Sequence, residues 1–179
     1  MNFCSQCGSP VTSRIPHGDD RPRHMCDVCG TIFYSNPKIV AGCIPQWDQQ
    51  LLLCRRAIEP RSGLWTLPAG FMENGETTAE AAARETLEEA NARVEMGQLF
   101  AYLNIPALSQ VYVIFLARLL DLDFSAGAES LEVRLFHEHE IPWQEIAFPS
   151  IERALRLYFE DRRGEGFGTH MADVQRRPG

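Results

Sequence analysis

Between Gly70 and Ala92 the chain reads GFMENGETTAEAAARETLEEANA, and three of its carboxylates, Glu85, Glu88 and Glu89, stand at i, i+3 and i+4. In a helix turning about 100° per residue, that spacing puts all three on one face. Ala79, Ala83, Thr86, Leu87 and Ala90 then fall on the opposite arc, suited to packing on a sheet. Thr77 followed three residues later by Glu80 is a capping-box signature and predicts a helix starting just beyond it. Like charges so placed repel by about 0.2–0.5 kcal/mol per pair, and by more in a cleft. Such a helix is either a solvated acidic face or one edge of a divalent-cation site.

A second constraint lies at the start of the chain. Cys4-x-x-Cys7 and Cys26-x-x-Cys29 are separated by eighteen residues, and Gly8 and Gly30 follow the second cysteine of each pair. Two such knuckles surround one Zn²⁺ with four thiolates, and each glycine allows the tight turn that brings backbone amides to the sulfurs. Two disulfides or a single redox pair are the competing readings; a reducing compartment disfavours the first, and the second needs only one Cys-x-x-Cys. Residues 1–36 therefore read as a zinc ribbon whose ion is structural, with His17 and His24 on its surface. Cys43 and Cys54 have no partners at ligand spacing and read as small core residues.

Turn chemistry at Tyr34-Ser35-Asn36-Pro37 marks the boundary to a second domain over residues 37–162. Lys38 to Pro45 and Gln50 to Arg55 read as strands about the Trp47-Asp48-Gln49 turn, and Leu64 to Leu67 as a shorter one. Leu99 to Ile105, Val111 to Leu119 and the alternating Leu131 to Phe136 supply three more. Ser150 is placed to cap a last helix from Ile151 to about Arg162. Strands on both sides of one helix, then a final helix, give an α/β fold with a mixed sheet between helices. Residues 163–179 read as a Gly-rich, polar C-terminal tail, mobile or laid on a neighbouring subunit.

Charge narrows the function. The net charge is −7; residues 39–160 carry nine Lys/Arg against eighteen Asp/Glu, so the body stands at −9. That balance disfavours sequence-independent nucleic-acid binding. The longest apolar run, Val111 to Ala117, is too short to cross a bilayer, and no basic start with an apolar h-region follows Met1. A cytoplasmic location and no membrane partner are expected.

Gly70, five residues, Glu76, seven residues, Arg84-Glu85, two residues, Glu88-Glu89 resembles the Nudix box, G-x5-E-x7-R-E-U-x-E-E-x-G-U with U aliphatic. Thr86 and Ala92 replace bulkier aliphatic residues, and Asn91 replaces the second glycine, at a helix end where Asn is the next-best residue for positive φ. The stretches Cys54-Arg55-Arg56-Ala57-Ile58-Glu59-Pro60, Trp65-Thr66-Leu67-Pro68-Ala69-Gly70 and Ser109-Gln110-Val111-Tyr112 extend the resemblance to the zinc-ribbon Nudix hydrolases, among them FAD and ADP-ribose pyrophosphatases. The S-Q-P-W-P-F-P-x-S string of the NADH pyrophosphatase branch is absent.

The resemblance implies an α/β/α sandwich and Mg²⁺- or Mn²⁺-dependent hydrolysis of a nucleoside diphosphate derivative, FAD or ADP-ribose first, with AMP released. It assigns the metals to Glu85, Glu88, Glu89 and a backbone carbonyl at Gly70 or Ala69, and pairs Glu76 with Arg84. Glu129 is the candidate further base or ligand, ahead of Glu132. Arg55, Arg56 and Arg61 are candidates for phosphate contact, and Tyr102, Tyr112, Phe136 and Trp143 for ring stacking or, more simply, core packing. The expected partners are a small-molecule nucleotide and a second copy in a homodimer. The alternatives are an NADH pyrophosphatase, or a nucleotide-sensing module whose ribbon is an interaction surface.

Overall fold

The computed structural model describes residues 1–175. Contacts along the chain gather into two units, Met1–Pro37 and the remainder from Lys38 onward.

In the first unit β1 (Val11–Arg14), β2 (Arg23–Cys26) and β3 (Ile32–Phe33) form a three-stranded antiparallel sheet. Each cysteine pair sits in a turn closed by its glycine. Gly8 N–H donates to Cys4 O and Gly30 N–H to Cys26 O, both at 2.9 Å, with φ of 72° and 73°. The turns aim amides at sulfur, Gln6 N to Cys4 Sγ at 3.4 Å and Cys29 N to Cys26 Sγ at 3.5 Å.

The second unit contains β4 (Lys38–Trp47), β5 (Gln50–Arg56), β6 (Trp65–Thr66), β7 (Ala69–Phe71), α1 (Thr78–Ala90), β8 (Val94–Ile105), β9 (Gln110–Leu119), β10 (Ser130–Phe136), α2 (Pro149–Arg162) and β11 (His170–Asp173). One eight-stranded sheet runs β10-β5-β4-β9-β8-β11, with β6 added to β5 and β7 to β4. The sheet is mixed: β4–β9 and β8–β11 are parallel, the other pairs antiparallel. Strand alternation divides its apolar residues between two helical layers. Val40, Ile44, Leu51 and Leu53 face α2 through Ile151, Leu155 and Tyr158, whereas Ala41 and Cys43 meet Ala81 and Ala82 of α1. Cys43 and Cys54 are buried core residues.

Three sequence expectations change. Ser150 does not cap α2: Phe148 is the N-cap, Pro149 the first turn's proline, and Ser150 lies buried inside the helix. The face of α1 turned to the sheet is Ala81, Ala82, Thr86, Glu89 and Ala90, while Leu87 stays half exposed. The opposing strand residues are small, and Thr86 fits against them, donating to Ala82 O at 2.7 Å and lying 3.1 Å from Cys43 Sγ. Finally, within the expected tail, His170–Asp173 return to the same sheet as β11, and residues 176–179 lie outside the described residues. Phe167 packs on Tyr158 and Phe100, and Asp161 Oδ2 accepts from Gly168 N–H and pairs with His170.

Candidate active site

The helix that carries the carboxylates is fixed at both ends by its own sequence. Thr77 and Glu80 complete the capping box, and Asn91 ends the helix in the left-handed region at φ 47°. Ahead of it, the loop from Gly70 to Glu76 is tied down by one arginine. Arg84 grips Glu76 with two prongs, Nε to Oε2 at 3.0 Å and Nη2 to Oε1 at 2.8 Å. Its Nη2 also donates to Phe71 O at 3.2 Å, and Nη1 to Glu85 Oε1 at 2.8 Å and Glu88 Oε2 at 3.0 Å. The Arg84 guanidinium and the Glu73 N–H hold the Glu76 carboxyl down at about 2.

The three helix carboxylates differ in burial. Glu88 is largely exposed, Glu85 mostly covered and Glu89 only 5% exposed, so the expectation that all three face outward fails for Glu89. Glu85 lies so close to Gly70 that a Cβ there would stand 2.2 Å from its carboxyl carbon, which explains a glycine at that position. Glu89 accepts from Ala69 N–H at 3.3 Å and, among the described residues, has no cation at ion-pair distance. Burial, then the neighbouring Glu85 charge, push its carboxyl up to about 8. Burial also raises Glu85, against the pull of Arg84.

A cavity of about 570 Å³ opens over this helix edge. Glu85, Glu88, Glu89 and Glu129 line it together with Ala69 and Gly70, and Val40, Ile58, Phe71, Leu108, Tyr112 and Phe148 supply apolar lining. Val40 is in register with Phe71 on β7 and with Tyr112 on β9, which sets the three in a row across the sheet. The structure separates the candidate residues. Glu129 lines the cavity, whereas Glu132 lies outside its lining, 3.8 Å from Arg55. Arg56 lines it; Arg55 and Arg61 do not. Arg56 is steadied by Nε donation to Pro60 O at 2.9 Å and by its guanidinium lying 5.1 Å over the Phe148 ring, and no described carboxylate lies at ion-pair distance from it. Of the four aromatic candidates only Tyr112 lines the cavity, and Phe136 is core. Phe71 and Phe148 escape sequence reasoning; their one local signal is adjacency to Gly70 and to the helix-opening Pro149.

In the first unit, the sulfurs of Cys4, Cys7, Cys26 and Cys29 all lie within 4.8 Å of one another, with Cys4–Cys29 at 3.6 Å and Cys7–Cys26 at 3.5 Å. Four sulfurs about 2.3 Å from one tetrahedral Zn²⁺ stand about 3.8 Å apart, so the cluster fits that ion. No other group of three or more His, Cys, Asp or Glu side chains among the described residues gathers its ligand atoms so closely. Glu85 and Glu88 are instead drawn onto Arg84.

An α/β/α sandwich whose helix edge and loop carry this charged constellation is the architecture of the Nudix hydrolases. The NUDIX domain family matches residues 36–157 and the Nudix N-terminal zinc-ribbon family residues 2–35, and the chain belongs to the Nudix hydrolase family. The crystal structure of a NUDIX hydrolase from Nitrosomonas europaea superposes with a TM-score of 0.95 at 57% identity, over 98% of this chain and 100% of that one. An ADP-ribose pyrophosphatase of Methanocaldococcus jannaschii is 27% identical over 73% of this chain and 78% of its own length. The NAD-capped RNA hydrolase NudC of Edwardsiella ictaluri is 32% identical over 70% of this chain, which spans 45% of that longer protein. Both units thus belong to an enzyme of the hydrolase class. Among the described residues, no helix is long and apolar enough to cross a membrane.

Proposed function

We propose that the second unit hydrolyses the diphosphate of a nucleoside diphosphate derivative, ADP-ribose or FAD, with release of AMP. The observation that carries this reading is the cavity itself: its lining joins Glu85, Glu88, Glu89 and Glu129 to Arg56 and to the apolar row Phe71, Val40 and Tyr112. Glu85, Glu88 and Glu89, with a backbone carbonyl at Ala69 or Gly70, form a hard oxygen donor set that suits Mg²⁺ or Mn²⁺. Glu89 in particular is a buried carboxylate with no described cation at ion-pair distance, Arg56 acting on it only from farther off. A bound divalent ion supplies charge neutralisation of the diphosphate and a lowered pKa for the attacking water.

The chain's own groups do the rest. Arg84 and Glu76 hold the loop against the helix, so the donors keep their places. Arg56, pinned on Phe148, offers its remaining N–H groups to phosphate oxygens. Glu129, in the cavity lining, is the proposed base that takes the proton from water attacking phosphorus. Phe71, Val40 and Tyr112 offer a surface for the nucleoside or its partner ring. In the first unit, Cys4, Cys7, Cys26 and Cys29 hold a structural Zn²⁺.

ADP-ribose is favoured by the archaeal relative, and FAD rests on the sequence resemblance alone. The second reading, cleavage of NADH or of an NAD-capped RNA end, is favoured by the NudC relative and opposed by the missing Trp-containing string and the acidic body. Incubation with Mg²⁺ or Mn²⁺ and a panel of ADP-ribose, FAD, NADH and NAD-capped RNA, followed by chromatography, decides among them. AMP from ADP-ribose or FAD at the highest kcat/KM supports the proposal; preference for NADH or capped RNA selects the second reading; nucleotide binding without turnover makes this member a sensor.

A further inference from the structure

The C-terminal turn of α1 leaves carbonyl groups with no partner inside the helix. Leu87 O is taken by the Asn91 N–H at 2.8 Å, but Glu89 O and Ala90 O are met by a loop more than thirty residues away. Gly127 N–H donates to Glu89 O at 3.0 Å, and Ser125 N–H to Ala90 O at 2.9 Å. The contact is close: a Cβ on Gly127 would stand 1.8 Å from Glu88 O and 2.9 Å from the Glu88 carbonyl carbon. Gly127 is not in the left-handed region, so glycine here supplies room, not conformational freedom.

Asn91 adds a side-chain clasp. Its left-handed backbone is one that glycine adopts equally well, and glycine is the residue of the Nudix box at this point. The Asn91 amide, which glycine lacks, lies 3.1 Å from Ser125 Oγ, 3.3 Å from Ser125 O and 3.4 Å from Ala126 O, donating to this loop from the helix end. Two residues beyond Gly127, the Glu129 carbonyl accepts from Ala57 N–H at 2.8 Å, and Ser130 N–H returns to Gly127 O at 3.1 Å. Glu129 is thereby held between the end of α1 and the chain leaving β5.

We propose that Gly127 and Asn91 are positioning residues, which fasten the loop bearing Glu129 to the helix bearing Glu85, Glu88 and Glu89 so that all four carboxylates share one fixed geometry. The proposal rests on the reading that Glu129 acts in hydrolysis. Small displacements of a reacting group are costly, about a hundredfold for 1 Å, so loosening this splice acts on kcat more than on substrate binding.

The test compares Asn91→Gly, Glu129→Gln and the double variant, assayed with ADP-ribose and Mg²⁺, with hydrogen exchange measured over residues 125–129. Asn91→Gly keeps the helix end and is expected to lower kcat about tenfold, to leave KM within about twofold, and to speed exchange in that segment. In the Glu129→Gln background it is expected to cost nothing further, because the two residues act through one group. Gly127→Ala, should it fold, shows the same pattern more strongly. Full additivity in the double variant, or unchanged kcat and exchange in Asn91→Gly beside an impaired Glu129→Gln, overturns the positioning role alone. Wild-type kcat in Glu129→Gln removes the reading beneath it and the proposal with it.

Discussion

In the N-terminal unit four sulfur atoms lie within 4.8 Å of one another; in the second unit Glu85 and Glu88 share the Arg84 guanidinium while Glu89 sits apart in the cavity wall. The sulfurs converge on a single point and leave no open position there, as a structural ion requires. The carboxylates are kept apart, their charge held by an arginine or opposed by burial, in the lining of a cavity. On the proposed reading, Glu85, Glu88 and Glu89 would hold a hard cation that would also neutralise an anionic ligand. The contrast is between side chains that converge on one point and side chains held apart around a cavity.

Breaking the closed set has the largest expected effect. Cys26→Ser is expected to abolish zinc binding and with it the ordered fold of residues 1–37, read as loss of zinc from the purified protein and collapse of that segment's amide dispersion. Next come Glu88→Gln and Glu89→Gln, each expected to lower kcat by about a hundredfold or more with an unchanged circular dichroism spectrum. Arg84→Lys keeps the charge but loses the fork on Glu76, and is expected to lower kcat about tenfold with a lower melting temperature.

The smallest effect lies away from both clusters, at the Asp161 carboxyl that anchors β11. Burial raises that group, but the hydrogen bonds from His170 and Gly168 prevail, so it lies below its ordinary value. Its contribution to stability is therefore complete above the usual carboxylate range and lost as pH falls through the lowered value. Amide protection in β11 is expected to survive to lower pH in the wild type than the ordinary Asp pKa near ~3.9 implies. Asp161→Asn is expected to lower that protection at neutral pH and flatten its acid dependence.

What could be read from the sequence was mostly local. The α1 boundaries follow from Thr77, Glu80 and Asn91, which act within one helical turn. The facing cysteine pairs follow from spacing, since a knuckle's geometry is short-range, and the Glu76–Arg84 pair from the resemblance to the Nudix box. Long-range partners were not legible. β11 is four residues, His-Met-Ala-Asp, with no periodic signal, and it is a strand only because β8 offers a parallel edge and Asp161 a partner for His170. Nor could Arg55, Arg56 and Arg61 be ranked before the fold put one of them against Phe148 and over the cavity. The burial of Glu89 depended on how far α1 rolls, which the small sheet residues Ala41 and Cys43 decide.

The central claim is that the cavity carboxylates are the divalent-cation site. Titrating Mn²⁺ into zinc-loaded protein, with and without a slowly cleaved nucleotide diphosphate, and following the free-ion electron paramagnetic resonance signal tests it directly. Wild-type protein is expected to quench the signal, more tightly with nucleotide present, and Glu89→Gln to lose most of the quenching. Equal quenching by both proteins would contradict it.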